Sequence, residues 1–239
     1  MSRDTMAILE TARAEGRWML DLWEARNVVE LMGVPMDRAA LAPTREKALA
    51  AAKKIGLPVV MKIVSPDIVH KTEVGGVRIN LASEDEVGKA FDAMMESVKR
   101  KQPTARVKGV LIEEMVKGTE LIIGSSCDPQ FGRMLMFGMG GIFVEIYKDV
   151  SFRLVPIAGP DAREMIEEIR GRAIFEGARG HPKADREALV RMLVDISDGL
   201  RQTPLIEELD INPLMVTDTG LKAVDARVLI GEKGKSCPV

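Results

Sequence analysis

With 34 Lys and Arg against 36 Asp and Glu among 239 residues, the chain carries a formal charge of −2, too balanced to coat a phosphate backbone, so no nucleic acid is expected as a partner. A hydrophobic share of 46% is enough for one large domain or two small lobes. Apolar runs such as Leu57 to Met61 end at a charge far short of the roughly 20 residues of a membrane span, the start with Arg3, Asp4 and Glu10 has no secretory pattern, and Cys127 and Cys237 alone suit a reduced, cytoplasmic chain.

The first thirty or so residues read as helical, with Trp18, Leu22, Val28, Val29 and Met32 at three- and four-residue steps until Gly33 and Pro35. A second helix is predicted from Thr44 to Gly56. Pro58–Val64 then reads as a buried strand interrupted only by Lys62, and Val77–Leu81 as a half-exposed strand, with the polar loop Ser65–Gly75 between them. Ser83 and Glu86 form a capping box ahead of a helix whose face is Val87, Ala90, Phe91, Met94, Met95 and Val98. Strands follow at Val110–Val116 and Glu120–Ser125, joined by Lys117-Gly118-Thr119, and near Met134–Phe137 and Phe152–Pro156. Helices at about Asp161–Arg170 and Asp185–Leu200 flank Gly171–Lys183, a glycine-containing stretch that reads as a flexible loop. Leu209–Val216 and Leu221–Val224 close the chain as a hairpin turned by Thr217–Gly220. Strands joined by both hairpins and helices indicate an α+β or mixed α/β fold, split near residue 108. Fifteen Met against nine aromatics indicate a Met-filled core and no base-stacking ladder.

Four places carry candidate chemistry. Lys62 inside an apolar strand either snorkels to solvent or faces an anion, because a buried ammonium is costly alone. His70 stands at the midpoint of the Ser65–Gly75 loop; it is either a solvated histidine or a nucleophile, and at about 3.4 Å per residue a detached loop carries its tip roughly 15 Å. Phe137–Gly141 is glycine-rich after a strand, which suits either close approach to phosphates or a tight turn, and the charged run Glu145, Lys148, Asp149 and Arg153 beyond it fits a solvated face equally well. In Glu207–Leu214, strand alternation puts Glu208, Asp210 and Asn212 on one face, with Asp225 on the returning strand of the hairpin. Such oxygen ligands suit Mg²⁺, and the lack of Cys and His there argues against zinc.

Four ordered segments, Pro58-VVMKIVSPDIVHKTEVGGV-Arg78, Val110-LIEEMVKGTE-Leu121, Asp128–Ile157 and Glu208-LDINPL-Met215 with Asp225, resemble the ATP-grasp subunit of ADP-forming acyl-CoA synthetases, the acetate type more than the succinate type. The resemblance runs from about Leu22 to Val228. It implies an ATP-grasp fold of two lobes with nucleotide bound between them, arranged as an N-terminal helical extension (1–21), a first subdomain (22–108) and a second (109–239). It also implies the reversible reaction of ATP, a carboxylic acid and CoA to ADP, phosphate and acyl-CoA, with Mg²⁺. It further implies that the CoA and acyl sites lie outside this chain, in a partner alpha subunit forming a heterotetramer or in fused domains, and that a phosphohistidine there passes its phosphoryl group to the ATP-grasp site. By motif matching, His70 is the chain's own transient phosphohistidine and Asp210 orients its ring. Lys62 holds nucleotide phosphates, Gly75 and Gly76 offer them N–H groups, Glu113, Glu114 and Val116 form the adenine hinge, Glu120 binds ribose, and Asn212 and Asp225 hold Mg²⁺. Two departures from the pattern are Cys127 before the Asp-Pro pair and Arg133 after Phe-Gly, which bear on subunit contacts or phosphate attraction. A free-standing carboxylate–amine ligase needs no loop histidine, and a non-catalytic nucleotide-binding subunit tolerates loss of Asn212 and Asp225.

Overall fold

A computed structural model describes residues 3–128, 130–141 and 147–231. The chain divides into two compact units, one of Met1–Leu20, Glu24–Met36 and Val116–Val239, the other of Asp21–Trp23 and Asp37–Met115.

The smaller unit is a four-stranded antiparallel sheet in the order β1-β4-β2-β3, from β1 (Ala39–Ala42), β2 (Val59–Val64), β3 (Val77–Leu81) and β4 (Gly109–Glu114). Its helices, α3 (Arg45–Ile55) and α4 (Glu84–Lys101), start at side-chain caps: Thr44 accepts from the Lys47 N–H and Ser83 from the Glu86 N–H. Glu86 reaches back one residue beyond the N-cap, accepting from the Ala82 N–H at 2.7 Å, so of the expected capping box only the Ser83 half forms. Val59, Met61, Ile63, Val110 and Ile112 pack on the same core as Ala48, Ala52, Val87, Phe91 and Met94 of the two helices. Alternation sends Lys62, Leu111 and Glu113 to the opposite face. β1, of composition Ala-Ala-Leu-Ala, has weak strand propensity and was not anticipated; pairing of every residue with β4 holds it. Because β4 sits inside this sheet, a boundary at residue 108 falls one strand early.

The larger unit is built on a strand path β10-β8-β5-β6-β7, with β9 paired to β8. These are β5 (Thr119–Asp128), β6 (Gly132–Met139), β7 (Val150–Leu154), β8 (Ile206–Thr217), β9 (Gly220–Ala223) and β10 (Ala226–Ile230). Leu121, Ile123, Leu135, Phe137, Leu209, Ile211 and Val228 share a core with α5 (Gly159–Glu168) and α7 (Arg186–Gln202), and with Leu9, Ala12, Val28 and Val29 of α1 (Arg3–Ala14) and α2 (Leu22–Leu31). The expected single N-terminal helix is thus two, parted near Gly16, whose φ of +71° is unfavourable to residues with a Cβ. Gly171–Lys183, read as a flexible loop, instead holds α6 (Arg172–Phe175) and a 3₁₀ turn, closed by the Ala184 N–H donating to the Phe175 carbonyl at 2.7 Å. Phe175 anchors it edge-on against Phe137, ring centres 6.3 Å apart. Cys127 is disulfide-bonded, which corrects the expectation of two reduced thiols, since a low cysteine count does not fix redox state; Cys237 lies outside the described residues. Among the described residues no helix is long and apolar enough to cross a membrane.

Candidate active site

In the smaller unit, Lys62 is 7% exposed and its Nζ lies 2.9 Å from Oε2 of Glu113, which is 1% exposed. The lysine neither snorkels nor stands alone. β2 and β4 place Val60 opposite Glu113 and Lys62 opposite Leu111, so the pair is a diagonal one on one face. Glu114 turns to the edge, where its carboxylate accepts from the Arg38 backbone N–H at 3.0 Å and from Arg38 Nε at 2.9 Å. Both glutamate side chains of the expected hinge are therefore committed to the sheet, and a base would be read there by backbone atoms.

His70 is exposed at the tip of its loop, while Ile68 and Val74 on either side are buried in the helix-covered core. Polar tethers add to that anchorage. Asp67 accepts from the Arg106 N–H at 2.7 Å, from Nε at 3.0 Å and from Nη2 at 2.7 Å; Ser97 Oγ donates to the Val74 carbonyl at 2.8 Å, and Lys101 Nζ to that of Glu73 at 2.6 Å. The N–H groups of Gly75 and Gly76 donate to the carbonyls of Thr72 at 3.0 Å and Lys71 at 2.7 Å. They are spent within the loop, so the expected offer of both to phosphates is not met in this conformation. A Cβ on Gly76 would lie 2.4 Å from Ile63 Cγ2, which is why the position excludes a side chain.

In the larger unit, Val116 begins the segment that enters β5, and Glu120 is exposed on that strand. The glycine run answers to packing: a Cβ on Gly140 would lie 2.9 Å from Glu120 Cβ, and one on Gly138 2.6 Å from the Asp149 carbonyl. Gly138 and Met139 belong to β6 and only Gly141, at φ +60°, stands in a turn, so the tight-turn reading holds for the end of the run alone; 142–146 lie outside the described residues. Asp149 is not part of a solvated face. It is buried and accepts from the N–H groups of Arg170 at 2.9 Å and Gly171 at 2.7 Å, while Arg153 forms exposed ion pairs with Glu164 and Glu168.

Across β8, Leu209 and Ile211 are buried and Glu208, Asp210 and Asn212 take the opposite face. Between Leu121↔Leu214 and Ile123↔Ile211 the register shifts, with Asn212 and Pro213 opposing Ile122. This bulge lets the Asn212 N–H donate to the Asp225 carbonyl at 3.2 Å and the Val224 N–H to that of Pro213 at 3.0 Å. Asp225 lies between β9 and β10, one connection later than the hairpin strand expected for it, since β9 ends at Ala223. Asn212 and Asp225 therefore come together through the backbone, a pair of oxygen-bearing side chains that fits Mg²⁺ completed by phosphates and water. Among the described residues there is no group of three or more His, Cys, Asp or Glu suited to a metal. Burial, with the charges of Asp225 and Glu208, raises the Asp210 carboxyl above the usual range, and Arg227 opposes the rise. Arg133 is 6% exposed and its Nη2 donates to the Ile206 carbonyl; it ties β6 to β8, which removes it from phosphate attraction.

A family model described as an ATP-grasp domain matches residues 11–230. The beta subunit of acetate–CoA ligase [ADP-forming] I of Pyrococcus furiosus is 44% identical over 224 residues, covering 93% of this chain and 96% of that protein. The chain belongs to the ATP-grasp family of ADP-forming acetate–CoA ligase beta subunits. Among solved structures, the dinucleotide-forming acetyl-coenzyme A synthetase 1 of Ca. Korarchaeum cryptofilum, in complex with coenzyme A and Mg-AMPPCP and with its phosphohistidine segment pointing towards the nucleotide binding site, is 38% identical. Its TM-score is 0.82, over 95% of this chain and 100% of that one. Acetate–CoA ligase [ADP-forming] I of Archaeoglobus fulgidus is 43% identical over 88% of this chain, which spans 31% of that longer protein. The matching part is thus nearly the whole of one relative and about a third of another.

Proposed function

We propose that this chain is the ATP-grasp subunit of an ADP-forming acyl-CoA synthetase of the acetyl-CoA type, working with a CoA- and acyl-binding alpha subunit in a cytoplasmic heterotetramer without nucleic acid or membrane. The observation that carries the reading is His70, exposed at the tip of a loop with tethers at both sides, in a chain that aligns along nearly its whole length with a ligase beta subunit. A carboxylate–amine ligase has no use for that histidine.

Lys62, held charged by Glu113, takes nucleotide phosphate oxygens; backbone atoms of Glu113, Glu114 and Val116 read the base, and Glu120 accepts from ribose hydroxyls. Asn212 and Asp225 hold Mg²⁺, which when bound neutralises charge on the nucleotide phosphates. His70 in its neutral form attacks the γ-phosphorus through one ring nitrogen. The P–O bond to ADP breaks, its electron pair leaves with ADP, and an N–P bond forms. Asp210 accepts the N–H of the other ring nitrogen and offsets the positive charge that develops there. Gly75 and Gly76 join the phosphate contacts only once the loop releases their N–H groups.

The reading is tested with γ-phosphate-labelled ATP, Mg²⁺ and the alpha subunit. Acid-labile, alkali-stable label should appear on this chain and vanish in His70→Ala. Equal labelling of that variant's own chain rejects the reading.

A further inference from the structure

Strands β5, β6, β8 and β10 form a cavity of about 340 Å³ on the face of the larger sheet away from its helices. Its charged lining is Glu208, Asp210 and Arg227, with Ser126, Met136 and Phe152 around them. Arg227 lies opposite Asp210 in the β10–β8 register, so their side chains leave the sheet as direct neighbours on one face. Among the described residues Arg227 has no hydrogen-bond or ion-pair partner, although two carboxylates share the cavity with it. An anionic phosphoryl group entering this space meets two like charges, and Arg227 is the one cation in the lining.

The two side chains differ in length, and that difference orders what they reach. From neighbouring starting points, an aspartate is short enough to accept from the near nitrogen of an imidazole ring brought against it, and an arginine is long enough to reach a group on the far nitrogen. A guanidinium also presents paired donors that match phosphoryl oxygens.

We propose that Arg227 is a further catalytic residue of phosphoryl transfer, donating to the oxygens of the phosphohistidine whose ring Asp210 orients. The inference rests on the function proposed above. Arg227 gives up no proton: it stabilises charge on the phosphoryl oxygens while the N–P bond forms and the P–O bond to ADP breaks, and again in the reverse direction.

The test uses the assembled subunits with Mg²⁺ and γ-labelled ATP, rapid quench, and the variants Arg227→Gln and Arg227→Lys. Arg227→Gln should lower the rate of phosphohistidine formation by about 10²-fold, the loss typical of one transition-state donor, and leave Mg-ATP affinity within two-fold of the parent. Arg227→Lys should recover part of that rate, because it restores the charge without the paired donors. A rate in Arg227→Gln within two-fold of the parent overturns the inference. So does a parallel loss of nucleotide affinity and thermal stability in both variants, which marks a structural role. Failure of the underlying reading is separate: there, the parent itself forms no acid-labile label, or His70→Ala labels equally.

Discussion

Lys62 Nζ and Glu113 Oε2 stand 2.9 Å apart on adjacent strands, both side chains almost wholly removed from solvent. The ion pair keeps the ammonium charged and aimed before any nucleotide arrives. Removing one member strands the other. Glu113→Gln is expected to lower the unfolding free energy by about 3–5 kcal/mol in urea titrations, the usual cost of an uncompensated buried charge. Saturating ATP should restore part of the loss by binding the folded state. The double variant Lys62→Met/Glu113→Leu should unfold close to the parent and bind no ATP in calorimetry.

Asp210 supplies a test of the opposite sign. Its carboxyl is raised chiefly by burial, then by the charges of Asp225 and Glu208, so its favourable contribution to stability belongs to the protonated form. That contribution is complete below the unfolded carboxylate pKa of about 3.9 and is lost as pH rises through the folded value. At pH 7 the ionised group therefore weakens the free chain. Asp210→Asn should raise Tm at pH 7 by roughly 2–4 °C, the response to about 1 kcal/mol in a chain of this size. The gain should shrink towards pH 4 in parallel melts, while phosphohistidine labelling falls. A lowered Tm at pH 7 would contradict the electrostatic account.

The loop tethers make a prediction about motion. Asp67 gathers three donors of Arg106, and hydrogen bonds to charged groups contribute about 1.5–3 kcal/mol each. Asp67→Ala should speed hydrogen exchange at the Gly75 and Gly76 amides by 10- to 100-fold and leave Val110–Ile112 unchanged. Uniform acceleration would mean global destabilisation instead.

Gly140→Ala probes the ribose contact from behind. The added Cβ lies 2.9 Å from Glu120 Cβ and 3.0 Å from its backbone carbon, so β5 must shift. A cost of about 1–3 kcal/mol in stability is expected from such overpacking. If Glu120 binds ribose, affinity for ATP should drop more than affinity for inorganic triphosphate, measured by competition.

Legibility in the sequence followed the range of the forces involved. The Ser83 cap of α4, the stripe of α7 and the alternation of β8 are local patterns, and each predicted element formed. Lys62 was conspicuous because a charge inside an apolar strand has few explanations. Its partner was not, since a diagonal contact depends on the register between strands 50 residues apart in sequence. The same applies to Arg227 and Asp210, and to Arg133, whose bond to the Ile206 carbonyl spans two distant strands. β1 and β10 escaped because pairing, not propensity, makes them strands. The glycines at 75 and 76 advertised backbone freedom, and only the folded loop reveals that their N–H groups are already taken.

The smaller unit interrupts the larger one in sequence: apart from Asp21–Trp23, residues 37–115 are bracketed by the two stretches that make up its neighbour. Synthesis consequently finishes the β1–β4 sheet while α1 and α2 still lack the strands that cover Leu9, Ala12, Val28 and Val29. At ribosomal speeds of about 5–20 residues per second, those two helices wait roughly 10–40 s for β10 to emerge. Their apolar faces are a natural load for chaperones at the exit tunnel, and a stalled ribosome would present them longest.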